Sequence, residues 1–452
     1  MLVVIAFRPL VVVAWLVAMT FAPLRAAAAP WLFVSDIHLD PVSRRPTPVS
    51  LGKDTNQALF RSALDAMKRA DPNPPVVFIT GDFFSHGFDY RRAGPTMSEI
   101  ARRFGEAFPH AQFVVALGNE DSPCADYTLN PNAPFLRSFA EVWGPLVNRH
   151  GAAPDFVRTV SHDGFYTTKL PLRNVRAVVI DDVFWSPRYH PGCGPARTYG
   201  PAETVKDLAS ALTPGGDEKR WLIMHIPPGI DAWSTTHLAH RLAVVPFLEP
   251  GPRGDLMTLL GERQRHVSLV IAAHIHKFSY RVYSPPGRDP LPIFLAPSVS
   301  PIFWNNPSFL TVDVAPDGTI QNAEDHAFVK RQWRDIGGWR SLGVRSFTGE
   351  ELLALQTRLD RDPALRARYA SLYNGGAPPE ITEGNWPGYA CASIAFAATD
   401  YRSCLGESGI SIFTRRGLAV LGVVVAVAVA VLAAAVAAIV IVVRRRKAVS
   451  RR

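Results

Sequence analysis

Five short apolar runs in this chain lead, one after another, into side chains that bind metals. WLFVS (31–35) precedes Asp36 and His38, VVFIT (76–80) precedes Asp82 and His86, and FVVALG (113–118) precedes Asn119. WLIMHIP (221–227) carries His225, and VSLVIAAH (267–274) runs into His274 and His276. Short runs rich in β-branched and aromatic residues read as buried strands. Sheets of the α/β kind gather their sites at strand ends. A buried histidine needs a partner for each ring nitrogen, so several together are costly without a metal. Asp36 and His38 alternate by two, as do His274 and His276. On an extended chain each pair points to one side.

Between the first two runs, DTNQALFRSALDAMKRA (54–70) carries Ala58, Leu59, Leu64 and Met67 at helical spacing, with Asp54 or Thr55 expected as its cap. Strand–helix–strand repetition implies an α/β layered core. Later runs, FYTTKLP (165–171), VRAVVIDD (175–182), WLIMHIP (221–227), VSLVIAAH (267–274), PIFLAPS (292–298) and FLTVDV (309–314), have shorter links and imply a second sheet with antiparallel parts. One catalytic domain is expected over 30–340. Residues 345–411 change character. ELLALQTRLDRDPALRARYASLY (351–373) reads as helical and is followed by a Gly/Pro-rich loop and two cysteines, so this part reads as a small C-terminal helical subdomain.

Both ends read as membrane-related. Residues 1–28 have an apolar core ending in Ala26-Ala27-Ala28, a secretory signal pattern. Residues 417–443 contain no charge and are long enough to span a bilayer as one helix. The basic tail, 444–452, predicts a cytoplasmic C-terminus and a catalytic domain that is periplasmic, extracellular or lumenal. The net charge of +9 is concentrated at the ends, since six basic groups lie in the last nine residues, so no nucleic-acid partner is expected. Cys124, Cys193, Cys391 and Cys404 suit an oxidising compartment. Sequence does not choose among their three pairings. Cys391–Cys404 would close a short loop, with Cys124–Cys193 as the remainder.

In order, D-x-H, G-D, G-N, an isolated H and H-x-H resemble the calcineurin-like metallophosphoesterase family, over roughly residues 30–312. APSVSPIFWNNPSF (296–309), GDFFSH (81–86) and the closing pair Cys391 and Cys404 resemble its acid sphingomyelinase-like phosphodiesterase branch. The resemblance implies an α/β/β/α sandwich of two mixed β-sheets around two divalent metal ions, zinc before iron or manganese. Asp36, His38 and His276 would hold one ion; Asn119, His225 and His274 the other; Asp82 would bridge both. It further implies hydrolysis of a phosphodiester by metal-activated hydroxide, on a lipid headgroup or a nucleotide. Asp121 with the later Asp126-Tyr127 is also similar to endopolyphosphatases, which keeps polyphosphate or a phosphomonoester as alternative substrates. A catalytically inactive binding ectodomain is the alternative of another class.

Two departures from the family pattern matter. Ala273 stands where glycine is usual, and Glu120 stands where a histidine usually helps protonate the leaving oxygen. His86 is the expected proton donor, and Glu120, if burial raises its pKa, is the second candidate. His86, Asn305 and Asn306 are candidate substrate contacts, although Trp304, Asn305 and Asn306 equally suit loop packing. Asp121 reads as a turn or supporting residue. His162, His190, His237 and His240 have no partner pattern.

Overall fold

The computed structural model describes residues 29–43, 48–192, 201–213, 215–237, 243–406, 422–423 and 425–436. Two six-stranded sheets form the centre. The first runs in the order Gln332–Gly338, Ile320–Val329, Ser308–Val314, Trp31–Val34, Val76–Ile79, Gln112–Val115. Its last three strands are mutually parallel and its other neighbours antiparallel. FLTVDV, expected in the second sheet, thus pairs in the first, beside Trp31–Val34. The second runs Ser279–Tyr283, Leu291–Leu295, Val267–Ala272, Lys219–Ile223, Val175–Val179, Tyr166–Lys169. Its parallel centre has an antiparallel strand at each edge.

WLFV and VVFI are buried at every position, as strands covered on both faces must be. Between the sheets, Trp31 and Phe78 of the first pack on Trp221 of the second, with ring centroids 5.6 and 6.0 Å away. Phe33 meets Phe294 edge-on at 5.4 Å. Such pairs add about 0.5–1.5 kcal/mol each beyond their buried area. Helix Gln57–Ala70 buries Leu59, Phe60, Ala63, Leu64, Ala66 and Met67 as one stripe. Its cap is neither Asp54 nor Thr55 but Asn56, whose side chain accepts the Leu59 N–H at 2.8 Å. Strands Ser279–Tyr283, Ile320–Val329 and Gln332–Gly338 carry no clear apolar run. In IQNAEDHAFV, buried and half-buried positions are mixed, so charged residues sit among apolar ones.

The stretch read as helical, 351–373, forms two helices, Gly349–Arg361 and Pro363–Tyr373, and two short ones, Trp386–Ala392 and Ala398–Cys404, follow around the cysteines. Leu352, Leu355, Leu359 and Tyr369 join the same apolar core as the sheets. Polar bonds add to the seam: Tyr280 donates to Gln356 at 2.7 Å, Arg281 donates to the Ile230 carbonyl at 2.7 Å, and Ser279 and Tyr369 hydroxyls lie 2.9 Å apart. Cys391 and Cys404 form a disulfide. Cys124 is disulfide-bonded as well, while Cys193 lies outside the described residues.

The expected leader (1–28) and basic tail (444–452) lie outside the described residues, and 417–443 lies partly outside them. Residues 422–423 and 425–436 are helical and exposed. No helix among the described residues is long and apolar enough to cross a membrane.

The Cys391–Cys404 bond joins residues 13 apart. A loop of this length is worth about 3 kcal/mol in chain entropy. Replacing both cysteines by alanine is therefore expected to lower unfolding free energy by about that amount in urea titrations. An unchanged midpoint would show that the helical seam holds without it.

Candidate metal centre

The parallel strands of both sheets deliver their C-terminal ends to one place. Asp36 and His38 follow Trp31–Val34, Asp82 follows Val76–Ile79, Asn119 follows Gln112–Val115, His225 follows Lys219–Ile223, and His274 and His276 follow Val267–Ala272. Five of these residues turn sharply into the site: Asp36, His38, Asp82, His274 and His276 all have left-handed backbone, with φ between 44° and 67°. That region is sparsely populated for side-chain-bearing residues, and such strain gathers at functional sites.

Ligand atoms of Asp36, His38, Asp82 and His276 lie within 4.8 Å of one another, as do those of Asp82, His225 and His274. The Nε2 atoms of His38 and His276 face each other at 3.1 Å. Asp36 Oδ1 is 3.2 Å from His276 Nε2, and Asp82 Oδ2 is 3.4 Å from His38 Nε2 and 3.1 Å from His225 Nε2. Asn119 Oδ1 is 3.2 Å from His225 Nε2. Asp82 thus stands between the two groups. Burial, foremost, holds His38 down at about 4 and His274 at about 3, so both are neutral imidazoles, the form that binds metals.

The ring orientations come from behind. His38 Nδ1 donates to the Phe84 carbonyl at 2.8 Å and His225 Nδ1 to the Thr80 carbonyl at 2.6 Å, which turns both Nε2 atoms inward. The Tyr127 hydroxyl lies 3.3 Å from His274 Nε2. Asn119 Nδ2 donates to Asp126 at 2.8 Å, aiming its carbonyl oxygen at the cluster. Asp121 clamps two loops: it accepts the N–H groups of Asp82, Phe83 and Gly118 at 2.7–2.9 Å. Gly118 lies so close to Asp82 that a Cβ there would sit 2.3 Å from Oδ1.

This donor set fits two divalent cations. Both carboxylate oxygens of Asp36 are buried without a hydrogen bond, and so is His276 Nδ1. Two ring nitrogens 3.1 Å apart beside buried carboxylates that lack hydrogen bonds make a pocket that favours a positive charge. Imidazole, carboxylate and amide together suit transition metals better than magnesium or calcium.

Beside the cluster His86 stacks on His38 with centroids 4.6 Å apart. Its N–H donates to Asp54 Oδ2 at 2.9 Å and its Nδ1 to Asp54 Oδ1 at 3.2 Å. Burial alone would lower the imidazole; Asp54, by bond and charge, and Glu120 override it and push His86 up to about 9. Glu120 is buried, donates its backbone N–H to Asp82 at 2.8 Å, accepts the Tyr90 hydroxyl at 3.3 Å and lies 3.8 Å from His86 Nε2. Burial, then Asp82 and Asp126, push its carboxyl up to about 8.

Other candidates sit elsewhere. Asn305 is buried and its amide nitrogen donates to Ser298 Oγ and the Ser300 carbonyl, both at 3.0 Å, and Asn306 donates to the Gly375 carbonyl, beyond helix Pro363–Tyr373, at 2.9 Å. Ala273 keeps its bond to the His225 carbonyl at 2.9 Å despite its methyl. His237 stacks on Trp233, His190 lies near Thr128, His162 neighbours Asp163, and His240 lies outside the described residues. Asp54, Tyr90 and the amide-holding role of Asp126 escape the sequence reading. The one available signal was that Asp54 sits two residues too early to cap its helix.

The profile of the calcineurin-like phosphoesterase family matches residues 29–278. Acid sphingomyelinase-like phosphodiesterase 3b of Homo sapiens is 25% identical over 318 residues, 64% of this chain and 66% of that one. Sphingomyelinase phosphodiesterase D of Dictyostelium discoideum is 22% identical over 268 residues, 57% of this chain and 56% of that one. The chain thus spans less than two thirds of either relative's length. Among solved structures, a dimetal phosphatase from Danio rerio aligns with TM-score 0.44 and 13% identity, covering 69% of this chain and 99% of that one.

Asp126→Ala should free the Asn119 amide and weaken metal on that side about 10–100-fold, leaving the Asp36–His38–His276 side loaded. Metal titration by calorimetry reads this as loss of one of two equivalents. Two unaltered equivalents would remove Asp126 from the site.

Proposed function

Since the chain belongs to the calcineurin-like phosphoesterase family, we propose that it is a dinuclear metal-dependent phosphodiesterase of the sphingomyelinase-like kind. The convergence of six donor side chains around the shared Asp82 is the observation that carries this reading. Asp36, His38 and His276 would hold one ion, Asn119, His225 and His274 the other, with Asp82 between them. Bound there, divalent ions, zinc first, supply Lewis-acid polarisation of a phosphoryl oxygen and a lowered pKa for a water.

The chain's own residues do the rest. Asp54 fixes Nδ1 of His86, which leaves Nε2 to carry a proton toward the leaving oxygen. Glu120 Oε1 lies 3.8 Å from His86 Nε2. Its side chain is turned to Tyr90 and His86, while Asp54, by bond and charge, is what chiefly holds His86 protonated. The names of the relatives support a phosphodiester, such as a lipid headgroup, as substrate. The structure gives Asp121 and Asp126, the residues that suggested polyphosphate, bracing roles within the protein.

The uncharged run 417–443 with its basic tail supports an anchor that leaves the catalytic domain extracytoplasmic. Truncation after residue 416 is expected to move the protein from the membrane pellet to the supernatant. Retention in the pellet would remove this anchor.

Metal-loaded protein offered a phosphodiester, a phosphomonoester and polyphosphate in parallel should turn over the diester best, and Asp82→Asn should abolish turnover. His86→Ala should cost about 10²–10⁴ in rate on an alkyl diester and far less on a nitrophenyl diester, whose leaving group needs no proton. Equal losses on both would sink the donor assignment, and preference for polyphosphate would sink the diester one.

A further inference from the structure

The loop after Ser300 presents two large aromatic side chains to solvent beside the metal cluster. Phe303 is 47% exposed and Trp304 67% exposed. Phe303 is not remote: its ring meets His276 at 4.5 Å and His86 edge-on at 5.8 Å. The Trp304 indole rests on Gly52, where an added Cβ would sit 3.2 Å from the ring. Two residues further along that segment, Asp54 holds His86.

Trp304 is also strained, with φ +61°. A bulky residue in the left-handed region is unfavourable and persists only where its surroundings impose it. Here they do. The Trp304 N–H donates to the Pro301 carbonyl at 3.2 Å, and that same carbonyl accepts Gly52 N–H at 2.9 Å. Asn374 donates to the Trp304 carbonyl at 3.4 Å, and buried Lys277 donates to the Phe303 carbonyl at 3.2 Å. An exposed indole gains nothing from this for the core, and a glycine would do the same turn without strain.

We propose that Phe303 and Trp304 form an apolar subsite for the leaving group of the phosphodiester. This deepens the phosphodiesterase reading and rests on it: Phe303 is the aromatic neighbour of His86, the residue assigned to protonate the leaving group. The chemistry selected is a leaving group with a flat or aliphatic apolar body attached to the departing oxygen. A lipid backbone and a nucleoside both answer that description. Small polar alcohols do not.

The test uses the full metal-loaded chain and two non-hydrolysable probes, (2-naphthylmethyl)phosphonic acid and methylphosphonic acid. Calorimetry on the unaltered protein should show the naphthyl probe binding about tenfold tighter, and Trp304→Ala should reduce that preference to about twofold. Trp304→Gly should lose the preference too, yet melt no lower than the unaltered protein, because the strained φ is relieved. A preference unchanged in both variants, or a clear fall in melting temperature with binding intact, overturns the subsite. Turnover of sphingomyelin in detergent micelles and of a thymidine dinucleotide then separates the two sources: the substrate whose kcat/KM falls with Trp304→Ala is the one that uses the subsite. If the unaltered protein hydrolyses neither, the phosphodiesterase reading fails while the phosphonate comparison still decides the subsite.

Discussion

One buried carboxylate, that of Asp82, sets the terms for everything around it. Its Oδ1 accepts the Glu120 N–H at 2.8 Å, and its Oδ2 faces His225 and His38 at 3.1 and 3.4 Å. Burial opposes its charge, but His225, by charge and hydrogen bond, prevails and holds it well below the usual carboxylate range. The residue's own N–H is fixed by Asp121. Three loops from two sheets therefore converge on one side chain, and each is constrained by how closely it approaches. Gly81 and Gly118 follow from this. A Cβ on Gly81 would sit 2.6 Å from the Gly118 nitrogen and 2.8 Å from His225 Nδ1. The glycines of the G-D and G-N pairs are the clearance that two donor-bearing loops need.

The site is locally unfavourable and the core offsets it. Left-handed residues outside glycine cost on the order of 1–3 kcal/mol each, and five ligand candidates adopt that conformation. Buried donors and carboxylates add to the cost until a cation arrives. Against this stand the aromatic seam between the sheets and the strands buried on both faces. Rigidity at the strand ends follows: strained loops hold their geometry only because the strands behind them do not move.

How much of this was legible beforehand divides by the kind of signal. Asp36, His38, His274 and His276 announce themselves because spacing by two at the end of an apolar run is a pattern that periodicity reveals. The central strands were legible for the same reason, since burial on both faces writes an unbroken apolar run. The half-covered strands Ile320–Val329 and Gln332–Gly338 were not, because their polar residues hide the pattern. Asp54 and Tyr90 were invisible for a different reason. Each acts through one contact made across a fold, to His86 and Glu120 respectively, and no local sequence pattern encodes such a contact. Asn305 and Asn306 show the converse. The amide nitrogens of that motif turn inward, to the Ser300 and Gly375 carbonyls, while the aromatics just before them stay outside.

The antiparallel pairing of Trp31–Val34 with Ser308–Val314 bears on how the protein comes into being. The strand that carries Asp36 and His38 lies in the middle of its sheet, and one of its two neighbours is nearly three hundred residues away in the chain. Closing so long a loop comes late and is slow, because entropy is lost before contacts repay it. The sheet around the donors Asp36 and His38 is therefore complete only once the distant strand Ser308–Val314 has paired with theirs.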